Sequence, residues 1–172
     1  LLGALFGAVE ATMRGSGGWQ PVALAAVGSF GRGAVAFASD LDVRLLPVGG
    51  VPERAQPIAE ALLYPLWDTG LSVGHQVVAP DDVIDLARSD LPTATSLLDW
   101  RHVAGDRDAS ARLPERVFEG LFGIGEIRAF LERLGARAQD RRDRFGGSVY
   151  LLEPDVKNGP GGIRDLDVAH WA

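Results

Sequence analysis

Residues 22–47, VALAAVGSFGRGAVAFASDLDVRLLP, decide how the rest of the chain is read. Val22 to Val27 is an apolar run suited to a buried strand, and it ends in Gly28-Ser29, which predicts a glycine turn. After ten connecting residues, Asp40-Leu41-Asp42-Val43 opens a second apolar strand. Side chains alternate along a strand, so the spacing predicts Asp40 and Asp42 on one face, with Leu41 and Val43 turned into the core. Neighbouring carboxylates repel unless a cation lies between them, and Mg²⁺ takes hard oxygen ligands alongside phosphates. A Gly-Ser turn facing that ion offers backbone N–H groups and a hydroxyl to phosphate oxygens. Together these parts suggest nucleotidyl transfer. Taken alone, Ser39-Asp40-Leu41-Asp42 also suits a strand entered from a solvated acidic turn, and Gly28 to Gly33 an ordinary turn between strands.

The 172 residues make one domain with an appendage or two small domains. Hydrophobic residues are 47% of the chain and charged residues 23%, enough for a real core under an ordinary surface. The net charge of −6 argues against a broad nucleic-acid surface, which needs a basic stripe. No cysteine is present, so disulfides, thiolate zinc sites and cysteine nucleophiles are excluded, and a reducing cytoplasm is expected. The opening LLGALFGAVEA is too short to span a bilayer and contains Glu10, which suits an amphipathic helix and no membrane attachment. The chain begins at Leu1 and stops in what reads as a helix just begun, so a fragment of a longer protein is expected.

Helices are expected at 1–14, from Pro52 to about Asp68 (bent or shortened by Pro65), from Pro80 and at 92–100. Strands are expected at 22–28, 41–47, 71–79 beside the aspartate strand, and 101–104. From residue 106 the pattern turns helical, over 107–121 and 123–144, with Ile124, Ile127, Leu131, Leu134 and Ala138 on one stripe. The charges on its other side read as a solvated face of i, i+4 pairs, or as a face toward phosphates with Arg144 foremost. A glycine-rich connector, 146–162, leads into the last helix. The expected division is thus 1–105 and 106–172. The four tryptophans, Trp19, Trp67, Trp100 and Trp171, read as core or interface fillers.

Two blocks carry a resemblance. VGSFGRG…SDLDVRLL resembles the nucleotidyltransferase signature of the bacterial protein-PII uridylyltransferases, usually close to GGYGRGEL…SDIDLLLL. YLLEPDVKNGPGGIRDLDVAHW resembles that family's LEP-N-hydrophobic-K-x-GPGG-hydrophobic-RD block, and the segments between are similar too. The first block alone indicates only the DNA-polymerase-β-like superfamily, whereas the second, in this order, is far more specific. The resemblance implies an α+β fold, a small mixed or antiparallel sheet flanked by helices and followed by a helical segment. It implies transfer of UMP from UTP to a tyrosine of the signalling protein PII. Full-length members add a metal-dependent hydrolase domain that removes UMP and glutamine-sensing ACT domains, neither matched in these residues.

By the same resemblance, Asp40 and Asp42 hold two Mg²⁺ (or Mn²⁺) ions for in-line attack at the α-phosphorus. Gly28, Ser29, Gly31, Arg32 and Gly33 form the phosphate turn, with Arg32 neutralising charge. Lys157 and Arg164, in the block with Gly159, Gly161, Gly162 and Asp165, are candidate triphosphate or uridine contacts, unless Arg164 pairs with Glu153 or Asp165. The chain departs from the pattern at Ser29 for glycine, Ala34 for glutamate and Asp155 for asparagine. LSVGHQVV also lacks the third carboxylate usual in the superfamily, and His75 stands near its place, either contacting a phosphate or metal or partly buried and satisfied. Asp68, Asp81 and Asp82 flank that strand without aligning. Two other readings share these residues: the same fold with a different nucleotide or acceptor, and a degenerate nucleotide-sensing module.

Overall fold

The computed structural model describes residues 1–37, 39–49, 51–123, 125–145, 153 and 155–172. These form two compact units, Leu1–Glu119 and Gly120–Ala172.

The first unit is an α+β structure around a four-stranded mixed sheet. Helix α1 (Leu2–Gly15) ends where Ser16, Gly17 and Gly18 break the chain, Gly17 at φ +76°. Strand β1 (Val22–Ala26) is buried at every position, as expected of a central strand covered on both faces. A single helical turn, α2 (Gly28–Gly31), follows it, and β2 (Leu41–Pro47) returns antiparallel to β1, with Leu24 opposite Leu45 and Ala25 opposite Arg44. Helix α3 (Pro52–Asp68) then crosses over to β3 (Val73–Val77), which lies parallel to β2. Helices α4 (Pro80–Ser89) and α5 (Leu91–Leu98) lead to β4 (Arg101–Gly105), antiparallel to β1 on its other side. The strand order is therefore β3-β2-β1-β4.

Sequence causes are visible at the joints. Proline opens α3 and α4 in the first turn, where its missing N–H is no loss. Asp90 caps α5 by accepting from the Thr93 amide at 2.8 Å. Pro65 does not end α3, which runs on to Asp68. One face of the sheet (Val22, Leu24, Val43, Leu45, Val73) packs on Phe6 and Val9 of α1 and on Ile58, Leu62, Leu63 and Leu66 of α3. That face holds the main apolar core, leaving the alternate residues of β2, including Asp42 and Arg44, on the other side. Helix α6 (Arg107–Leu121) buries Ala109, Ser110, Leu113 and Val117, and Ser110 accepts the Trp100 indole N–H at 3.0 Å.

The second unit holds α7 (Glu126–Phe145) and α8 (Ile163–Trp171). The buried line of α7 is Phe130, Leu134 and Ala138, spaced by four. Ile127 and Leu131, expected on the apolar stripe, are partly exposed instead, and Ile124 lies outside the described residues. Phe130 meets Phe122 edge to face at 4.8 Å, which fixes the helix at that rotation. Arg128 pairs with Glu132 along the exposed side, as a solvated face requires, and Arg144 is exposed.

Candidate active site

The site begins where β1 ends. Gly28 adopts φ +58°, a left-handed conformation that side chains disfavour, and this swings the chain into α2. The Gly31 amide donates to the Val27 carbonyl at 2.9 Å and Arg32 to Gly28 at 3.0 Å, so the expected glycine turn is a helical one. The first amides of such a turn, at Gly28, Ser29 and Phe30, have no acceptor within it. Gly33, at φ +73°, closes the turn.

Asp42 lies beside this turn. The Val27 amide donates to the Asp42 carbonyl at 3.0 Å, setting α2 against the start of β2. A methyl group on Gly28 would stand 3.5 Å from Asp42 Oδ2, and one on Gly74 only 2.5 Å from Oδ1. The carboxylate is thus cradled between two positions kept bare by glycine. Asp40, one step before β2, is exposed, and among the described residues neither carboxylate has a hydrogen bond or ion pair. Two carboxylates without protein partners, one in a backbone cradle, are a donor set suited to a hard divalent cation.

No third acid joins them: among the described residues no group of three potential ligands comes together. The parallel register explains why. Gly74 stands opposite Asp42, and His75 opposite Val43 on the other face. There His75 is exposed and its ring lies 5.6 Å from that of Trp67, so it is neither buried nor a neighbour of the acids. Of the flanking acids, Asp81 pairs with Arg116, and Asp68 and Asp82 are exposed.

Arg32 pairs with Asp99, whose side chain is fully buried. Arg101 clasps the same turn, Nε donating to the Gly31 carbonyl at 2.8 Å and Nη2 to Phe30 at 2.6 Å. Arg32 is therefore a tether between α2 and the end of α5. A residue that the sequence reading passed over, Arg44, follows Asp42 on the same face of β2. Its guanidinium is largely buried, which holds it below its ordinary value, while the Asp42 charge acts in the opposite direction. Its spacing, i+2 from an acid already assigned to that face, was the available signal.

In the second unit, Asp155 accepts the amides of Lys157 at 2.9 Å and Asn158 at 2.8 Å, which gives this departure from asparagine a turn-capping role. Arg164 reaches Asp167 at 3.2 Å rather than Glu153 or Asp165. Asp165 instead pairs with Arg141 and accepts the Gly161 amide at 2.8 Å. Cβ atoms on Gly159 or Gly162 would lie within 3.0 Å of backbone carbonyls, so the Gly-Pro-Gly-Gly path admits no side chain there. The amides donated by Asn158 and by Gly161 hold Asp155 and Asp165 below the usual carboxylate value of 3.8. Such groups stabilise the turn above that value, and the contribution is lost as pH falls through the lowered one. Amide shifts of Asn158 and Gly161 should therefore titrate with midpoints below 3.8; midpoints at or above it would contradict the hydrogen bonding described.

A glycine-serine turn set beside Asp42 on a small mixed sheet is the arrangement expected from the sequence resemblance. Comparison with known proteins sharpens this. Residues 129–172 match a family model described as GlnD PII-uridylyltransferase. The chain is 41% identical over 156 residues to a bifunctional uridylyltransferase/uridylyl-removing enzyme of Novosphingobium aromaticivorans, covering 88% of this chain and 17% of that protein. It is 39% identical to enzymes of the same description from a Bradyrhizobium species (90% of this chain, 16% of the relative) and Cereibacter sphaeroides (88% and 16%). A solved structure described as a toxin-antitoxin with AMP-PNP is similar at TM-score 0.41 and 13% identity, over 81% of this chain and 96% of that one. The chain belongs to the PII-uridylyltransferase family, and spans about a sixth of the length of the curated relatives it matches.

Proposed function

We propose that this chain is the nucleotidyl-transferring segment of a PII uridylyltransferase, moving UMP from UTP to a tyrosine hydroxyl of a PII-like protein in the cytoplasm, with release of pyrophosphate. The observation that carries this reading is the seating of Asp42 between Gly28 and Gly74, directly beside the α2 turn. The names of the relatives support the choice of uridylyl group.

Asp40 and Asp42 hold divalent metal, Mg²⁺ or Mn²⁺, which when bound neutralises phosphate charge and makes the attacking hydroxyl easier to deprotonate. Gly28 and Ser29 offer backbone amides and a hydroxyl to phosphate oxygens, the bare glycine allowing close approach. Gly31 and Gly33 shape that turn, and Arg32, through Asp99, keeps it in place. The tyrosine hydroxyl gives up its proton to solvent as its oxygen bonds to the α-phosphorus and the bond to the bridging oxygen breaks, the leaving charge passing to pyrophosphate. Lys157 and Arg164 are assigned as triphosphate or uridine contacts on the resemblance of their block.

The test is incubation with PII, Mg²⁺ and each labelled nucleoside triphosphate in turn, followed by mass analysis of PII. A UMP adduct with UTP alone, lost on chelation, is expected. An AMP adduct would point to another nucleotide, and nucleotide binding without pyrophosphate release to a sensor; either result overturns the proposal.

A further inference from the structure

The face of β2 that carries the acids also carries a cation, and the two are neighbours. Asp42 and Arg44 are two residues apart on one side of the strand, about 7 Å along it. Arg44 is not solvated like a surface arginine: its Nε is buried without a hydrogen-bond partner, and Nη1 donates only to its neighbour's carbonyl, Val43, at 3.2 Å. No carboxylate pairs with it among the described residues, and the acid whose charge acts on it is Asp42. On the other side of Asp42 stands Gly74, which carries no side chain, and an added Cβ there would push Oδ1 aside. On this face of β2 the negative charge of Asp42 is thus followed by one partly buried positive charge, with Asp40 one step before the strand.

We propose that Arg44 is the resident counter-charge of Asp42, opposing divalent-cation capture by the nucleotide-free site so that firm metal binding waits on a triphosphate. This rests on the reading of Asp40 and Asp42 as the metal pair. A guanidinium fixed near a carboxylate offsets part of the attraction a divalent ion feels there, without blocking its approach from the exposed Asp40 side. An incoming triphosphate adds negative charge and restores the balance in favour of the ion. Arg44 acts through Asp42, so its role is positioning and electrostatic.

Mn²⁺ titration of the 172-residue chain, read by loss of the free-ion electron paramagnetic resonance signal, tests this without turnover. Arg44→Met, which keeps the stem and removes the charge, should bind Mn²⁺ on the order of tenfold tighter than the parent without nucleotide. Arg44→Lys should stay near the parent, and a non-hydrolysable triphosphate analogue or high salt should narrow the difference. A purely structural role would shift the melting temperature and leave Mn²⁺ affinity unchanged. If Arg44→Met folds poorly, Arg44→Gln serves the same comparison. Unchanged or weaker Mn²⁺ binding in the charge-removing variants, with binding lost in Asp42→Asn, overturns this inference alone. Parent-like Mn²⁺ binding in Asp42→Asn overturns the metal pair itself and the inference with it.

Discussion

Asp42→Asn is expected to lower UMP transfer on the order of a thousandfold or more, the scale seen when a principal catalytic group is removed. The same change should leave the protein folded, at a cost in unfolding free energy of no more than about 2 kcal/mol, the loss of the charge beside Arg44 included. Both expectations follow from how the residue sits. Asp42 is only partly buried, and among the described residues its carboxylate holds no hydrogen bond or ion pair. The strand is held instead by its backbone ladder, to β1 on one side and β3 on the other, and by Val43 and Leu45 in the core. Asparagine keeps the shape that fits between Gly28 and Gly74 while removing the charge. Transfer of labelled UMP to PII and a urea titration of the same preparation measure the two quantities. Activity within tenfold of the parent would remove Asp42 from the mechanism, whereas a large loss of stability would give it a structural role instead.

What the sequence made legible was local. Alternation through Leu41-Asp42-Val43 assigned the faces of β2 correctly, because a period of two leaves no other choice once one face is apolar. Proline and acidic residues marked the start of α4, and Pro52 that of α3. What failed depended on register or on contacts distant in sequence. His75 was a reasonable neighbour for Asp42 from the text LSVGHQVV, but the parallel ladder places Gly74 there, and an offset of one residue reverses the face. The Arg32–Asp99 pair joins residues 67 apart, which no spacing rule could connect. In α7, Phe130 rather than Ile127 or Leu131 is buried, since packing on Phe122 chose among several apolar rows of similar weight. Arg44 is a different case: the alternation that placed Asp42 also placed it, and the cation needed only to be read with the acids.

A large effect on stability is expected at Gly31. It lies buried at the end of α2, where an added Cβ would stand 1.9 Å from the Asp99 carbonyl oxygen and 3.0 Å from that of Ala26. Neither obstacle is a flexible side chain, so the backbone of the turn or of the α5 end must move. Movement is resisted from both sides, by Arg32 on the Asp99 carboxylate and by Arg101 on the Gly31 and Phe30 carbonyls. Gly31→Ala should therefore cost roughly 3 kcal/mol or more, in the range of severe overpacking. Gly33, two residues on, provides the contrast. Its φ of +73° is strained for alanine, but nothing lies within 4 Å of an added Cβ. Gly33→Ala should accordingly cost only about 1–2 kcal/mol, the price of the left-handed conformation. Urea midpoints of the two variants separate a steric lock from ordinary glycine strain, and equal losses would show that the Asp99 contact yields easily. A lock of this kind matters to the site because Gly28 and Ser29 share the turn with Gly31, so whatever fixes one end against Asp99 also fixes the other beside Asp42.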